Sequence, residues 1–198
     1  MTIVLVALVV GGAAGLARGG RLTNLADAHL RSLMLLVVGA AGQLAVGLGS
    51  LRGALGFSLI VASYVALSGF AARNLAIAGM GVVVLGVALN LAPIVADQGM
   101  PVESGAIVRA GIAPSEGIAT LSYGGKRHLA HPGDHLRLLD DAIPEWATHE
   151  VLSVGDLVIG AGVGAVVTTL VRGRRSVRSG RSPGGASSGG GSDRPAID

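Results

Sequence analysis

The chain contains no cysteine. That excludes a disulfide framework, a thiolate metal site and a cysteine nucleophile. Charge is also scarce: 14% of the 198 residues are Asp, Glu, Lys or Arg, where a soluble domain carries about 25%. Aromatic residues make up 3%, with a single Trp. Residues 1–171 hold no Gly-x-Ser-x-Gly elbow, and the chain has no His-Glu-x-x-His helix and no phosphate-binding loop, so nothing specific supports an enzyme. No cofactor is implied.

What the chain has is apolar length. Five stretches, residues 2–17, 33–49, 54–72, 75–96 and 154–171, are nearly free of charge and run 16 to 22 residues. A helix of about that length crosses a hydrocarbon core roughly 30 Å thick. The 33 glycines lie mostly in or beside these stretches and near the C-terminus, and membrane helices use small residues for close backbone approach. The expected fold is therefore all-α. It is an integral membrane bundle of about five transmembrane helices with a partly structured extracytoplasmic loop. The expected divisions are 1–95 for helices 1–4, 96–153 for the loop, 154–171 for helix 5 and 172–198 for a disordered basic Gly/Ser-rich tail.

The first stretch has no Lys or Arg before it, and Arg18 and Arg21 follow it. A signal peptide has its positive charge in front, so a retained span is expected. The same charges set orientation. The first and third connections and the tail hold ten Lys/Arg, and the other side holds five, four of them in the long loop. The positive-inside rule then places the N-terminus outside and the C-terminus in the cytoplasm. The net charge of +3 belongs to this asymmetry and does not indicate nucleic acid. In the tail, Arg172, Arg174, Arg175, Arg178 and Arg181 form a stop-transfer signal and a candidate contact for anionic lipid.

Polar residues at membrane depth carry the functional question. Asn90 lies in the outer third of the fourth stretch, and Pro93 deprives the Leu89 carbonyl of its donor. Ser153-Val154-Gly155-Asp156 reads as a capping box opening the fifth helix. Asn90, Asp156 and Asp97 are the candidate polar site, under the long loop. Gln43 is expected to join two helices. Gly11-x-x-x-Gly15 and Gly160-x-x-x-Gly164 are expected to serve packing within the chain.

The loop is too long to be structureless. A short helix is expected over 101–109, ended by Gly111, with a turn at 122–125 and a hairpin over 128–139 around Pro132-Gly133. A helix along the inner surface is expected near Leu22, Leu25 and Leu30, capped by Thr23 or Asn24. His128, His131 and His135 lie near Asp134, Asp140 and Asp141. Their spacing needs a helix to converge on a metal, and Pro132-Gly133 breaks it, so solvated histidines are expected and no metal site is assigned. Met100, His128 and Trp146 are candidate loop contacts.

Several segments together resemble a family of small bacterial multi-pass membrane proteins, known as a domain of unknown function. They are Arg18-Gly19-Gly20-Arg21-Leu22 with Asn24-Leu25, Asn90 with Gly99-Met100-Pro101-Val102, Lys126-Arg127-His128, and Val151-Leu152-Ser153-Val154-Gly155-Asp156. The chain departs from that pattern at Asp97-Gln98, where Asn-Gly is usual, and at Glu145-Trp146, where an apolar-Pro pair is usual. The resemblance implies a bacterial plasma-membrane location and no activity. Three functions follow as expectations. The first is a non-enzymatic protein acting through envelope or membrane-protein contacts. The alternative is a small transporter or ion-binding protein using Asn90 and Asp156. The third, ranked last, is a metal-dependent enzyme using the loop histidines.

Overall fold

The structure, a computed structural model, describes residues 2–48, 51, 53–121, 123 and 126–173. The expected turn at Ser122, Gly124 and Gly125 lies outside the described residues, as do Arg174, Arg175, Arg178 and Arg181.

Helices dominate. α1 is Thr2–Ala17, α2 Thr23–Ala26, α3 Leu33–Gly47, α4 Gly53–Arg73 and α5 Met80–Ala96. In the long connection, β1 (Met100–Val102) precedes α6 (Ser104–Arg109), a 3₁₀ turn at Ser115–Thr120 and β2 (Arg127–Leu129). A second 3₁₀ turn at Arg137–Leu139 leads to β3 (Ile143–Glu145), β4 (Glu150–Leu152) and α7 (Val154–Arg172). Among the described residues two helices, Gly53–Arg73 and Val154–Arg172, are long and apolar enough to cross a membrane by length and composition. α1, α3 and α5 are apolar but have 16, 15 and 17 residues, which at 1.5 Å per residue is about 23–26 Å.

The five apolar helices neighbour one another in the order α1–α7–α5–α4–α3. α7 is central because its glycines lie on two faces. On one, a Cβ at Gly11 of α1 would sit 2.5 Å from the Gly164 carbonyl oxygen. Thr168 reinforces that contact by donating to the carbonyls of Gly11 at 3.0 Å and Gly164 at 2.8 Å. On the other face, a Cβ at Gly86 of α5 would lie 2.6 Å from the Ile159 nitrogen and one at Gly79 2.7 Å from the Gly162 oxygen. Such close approach gains dispersion contacts between the two helices and admits the Thr168 hydrogen bond across them. α1 and α7 run parallel: Gly160 meets Ile3 near their starts, and Gly15 meets Val171 near their ends.

α5 begins five residues later than the apolar pattern suggests. Asn74, 4% exposed, donates to the carbonyls of Phe70 and Arg31 and accepts from the Arg31 amide at 2.8 Å. This side chain ties two connections together and diverts backbone bonding from a helix. Gly79 then adopts φ 101°, a region open to glycine. At the same end, Asn24 caps no helix; its amide donates to the Val171 carbonyl at 2.7 Å. α2 is only four residues long, with no side-chain cap.

The 97–153 connection folds into a module with its own core of Val102, Ala106, Ile107, Ala110, Ile118 and Val151. The expected helix over 101–109 starts at Ser104, because Pro101 is in β1, and Gly111 ends it at φ 70°. The expected hairpin over 128–139 does not form. β2 pairs in parallel with β1, Pro101 opposite His128, while β3 and β4 make the antiparallel pair. A non-local partner thus takes the strand that the Pro-Gly turn seemed to offer a local one.

Candidate functional site

Three side chains close on each other where α5 meets the start of α7. Ser153 accepts from the Asp156 amide at 3.0 Å, and Asp156 Oδ2 accepts from the Ser153 amide at 3.2 Å, completing the capping box. Asn90 binds both partners. Its Nδ2 donates to Asp156 Oδ1 at 2.8 Å, and its Oδ1 accepts from the Ser153 hydroxyl at 2.8 Å. Gly155 makes this possible, because a Cβ there would overlap Asn90 Oδ1. Ser, Gly and Asp of the Ser-Val-Gly-Asp segment thus all serve one amide on another helix. A largely buried, mutually hydrogen-bonded cluster of this kind fixes register.

Asp97 does not join it. Gln98, at φ 56°, turns the chain after α5, and Asp97 accepts instead from the His135 amide at 2.9 Å and lies 2.8 Å from His135 Nδ1.

Above Asn90 and Asp156 the module contributes charges that sequence reasoning did not place there. Together with Tyr64, Lys126, Arg127 and Asp141 they line a cavity of about 20 Å³, room for about one water. Arg127 Nε lies 2.6 Å from Asp141 Oδ2, and Arg127 Nη2 donates to the Val151 carbonyl at 3.1 Å. Burial pushes the Asp141 carboxyl up to about 6, against the pull of Arg127, and Asp156 adds to the rise. Burial and the like charge of Arg127 lower the Lys126 ammonium, opposed by Asp141 and Asp156. The signal for these residues was the Lys-Arg pair itself, which gave no partner because Asp141 is 14 positions away.

The candidate loop contacts separate. Met100 is 4% exposed and packed in the bundle core, so it is not a surface contact; β pairing to Arg127 holds it there. Trp146 is 76% exposed and Leu138 91%. His128 is part-buried beside Asp134. Gln43 donates to Ser63 of α4 at 3.0 Å, joining two helices as expected. At the opposite end, Arg18, Gly19, Thr169, Arg172 and Gly173 line a groove of about 250 Å³.

The family model for DUF5317, a family of unknown function, matches residues 27–168. No curated protein and no solved structure matches the chain. The chain belongs to the DUF5317 family, which agrees with the resemblance to a domain of unknown function.

Proposed function

We propose that this is a bacterial plasma-membrane protein of five spans, with its N-terminus and the 97–153 module outside and its C-terminus in the cytoplasm. It acts without catalysis, through contacts of the module with an envelope component or a membrane-protein partner. Large apolar side chains exposed along the helices, among them Leu5, Val9, Val10, Met34, Leu55 and Leu85, support lipid as the surroundings. Snorkelling flanks and local bilayer thinning accommodate the three shorter helices. Arg18 and Arg172, lining the groove at the other end, suit anionic lipid head groups.

The observation that carries the contact reading is the closed cluster of Asn90, Ser153 and Asp156. Asn90 bonds both other side chains, these accept from each other's backbone amides, and the adjoining space holds about one water. A transport route needs a wider path and discontinuous helices near mid-membrane. The module instead presents Trp146 and Leu138 outward. A second reading, a small ion-binding or transport protein, draws on Lys126, Arg127, Asp141 and Asp156 sharing that cavity.

The absence of cysteine makes a clean test. Trp146→Cys and Asp156→Cys are labelled separately in intact cells with a membrane-impermeant maleimide. The contact reading expects fast labelling at position 146 and none at 156. Equal labelling at both positions moves the assignment to the ion-binding reading. Labelling at 146 only after permeabilisation inverts the proposed orientation.

A further inference from the structure

The chemistry of the module extends beyond its contacts. The turn His131-Pro132-Gly133-Asp134 is closed by the Asp134 amide donating to the His131 carbonyl at 3.1 Å. Asp134 Oδ2 accepts from the His131 amide at 2.6 Å, which leaves Oδ1 turned towards His128 Nε2, 3.4 Å away. His128 Nδ1 faces the Gly99 backbone, 3.0 Å from where a Cβ there would be, and Nε2 is the ring nitrogen that faces Asp134. The ring of His131 stacks on that of His128, centroids 5.9 Å apart and planes at 22°. One ligand atom from each of the three residues lies within 4.8 Å of the others.

We propose that His128, His131 and Asp134 bind a divalent transition-metal ion of the zinc class on the outer module, with a fourth position open to water. Ligand bonds of about 2.1 Å at the tetrahedral angle set two ligand atoms roughly 3.4 Å apart, which is the spacing already held between His128 and Asp134. His131 is exposed, so a side-chain rotation brings its nitrogen in the rest of the way. Two imidazoles and one carboxylate are a donor set that such an ion accepts and that calcium or magnesium does not favour. The tight turn supplies the convergence that a helix would otherwise have to provide.

A second observation is unpaired buried acidic charge within electrostatic reach of Asp134. Asp140 is 1% exposed, and among the described residues neither of its carboxylate oxygens has a hydrogen-bond partner. Its strongest like-charge neighbours are Asp134, Glu103 and Asp97, opposed by Arg137. The Asp97 side chain is 3% exposed, with Oδ1 engaged by His135 and Oδ2 unbonded. Unpaired buried carboxylates are costly, and native folds rarely leave them so. A dication at Asp134 would replace its like-charge repulsion of Asp140 by attraction.

The test uses the full chain, purified without a polyhistidine tag and stripped with a chelator, then titrated with Co²⁺ as a spectroscopic probe. One ion per chain, visible absorption of four-coordinate Co²⁺ and displacement by Zn²⁺ are expected. His131→Ala and Asp134→Asn should lose the absorption, and His29→Ala, on the far connection, should keep it. His131 is a surface side chain, so its removal leaves the fold intact and decides the matter even if Asp134→Asn unfolds. Absence of stoichiometric binding by the unaltered chain, or absorption that persists in His131→Ala, overturns the proposal.

Discussion

Asn90 is the residue on which the junction between bundle and module turns. Replacing it with Leu leaves the Ser153 hydroxyl and Asp156 Oδ1 without their partner, at a cost of about 1–3 kcal/mol. Asp156→Ala removes half of the capping box and costs about 1 kcal/mol. Because both act in one network, thermal unfolding in detergent should show the double variant losing less than the sum of the single losses. Asp140 makes a prediction of opposite sign. Burial, followed by Asp134, Glu103 and Asp97, raises its carboxyl from the ordinary 3.8 to about 6. Between about pH 4 and pH 6 the folded chain keeps a proton that the unfolded chain has released. Its contribution to stability therefore falls as pH rises through that window and is flat above it. With chelator present, Asp140→Asn should raise the unfolding temperature at pH 7 and flatten this part of the profile. At this scale the sequence was partly legible. Asn90 and Asp156 stand out because polar groups in apolar runs need partners. Asp97 was misplaced because one left-handed residue, Gln98, redirects the chain, and Gln carries no signal for that.

Helix identity followed from apolar length, but helix starts depended on local competition. α1 and α7 begin where the apolar runs begin, and α7 does so with its cap visible in advance as Ser153 and Asp156. α5 did not, because Asn74 and Gly79 hold residues 74–79 in turns. Strand pairing was the least legible: β1 and β2 are 24 residues apart and three residues long, so no local periodicity announces them. The glycine faces make a sharp prediction between neighbours. A Cβ at Gly11 meets the Gly164 backbone, whereas one at Gly12 meets nothing within 4 Å. Gly11→Leu should destabilise by about 1–3 kcal/mol through overpacking, and Gly12→Leu should be close to neutral. Paired melting curves of the two variants check this.

At the scale of the molecule, the helix that joins the rest is α7. α1 packs along one of its faces and α5 along the other, and its first turn carries the module's polar junction. A chain stopped before Val154 should therefore be cleared rapidly in a pulse–chase experiment, and one stopped after Gly173 should persist. This centrality has a consequence in time. The ribosome makes α1 first and α7 after the whole of the module, and at about 5–20 residues per second the first helix waits on the order of 10 s or more for its main neighbour. During that interval the glycine face of α1 has not yet met α7, the helix it packs against in the finished fold. Synthesis of this protein thus includes a stage in which that small-residue face waits for its partner.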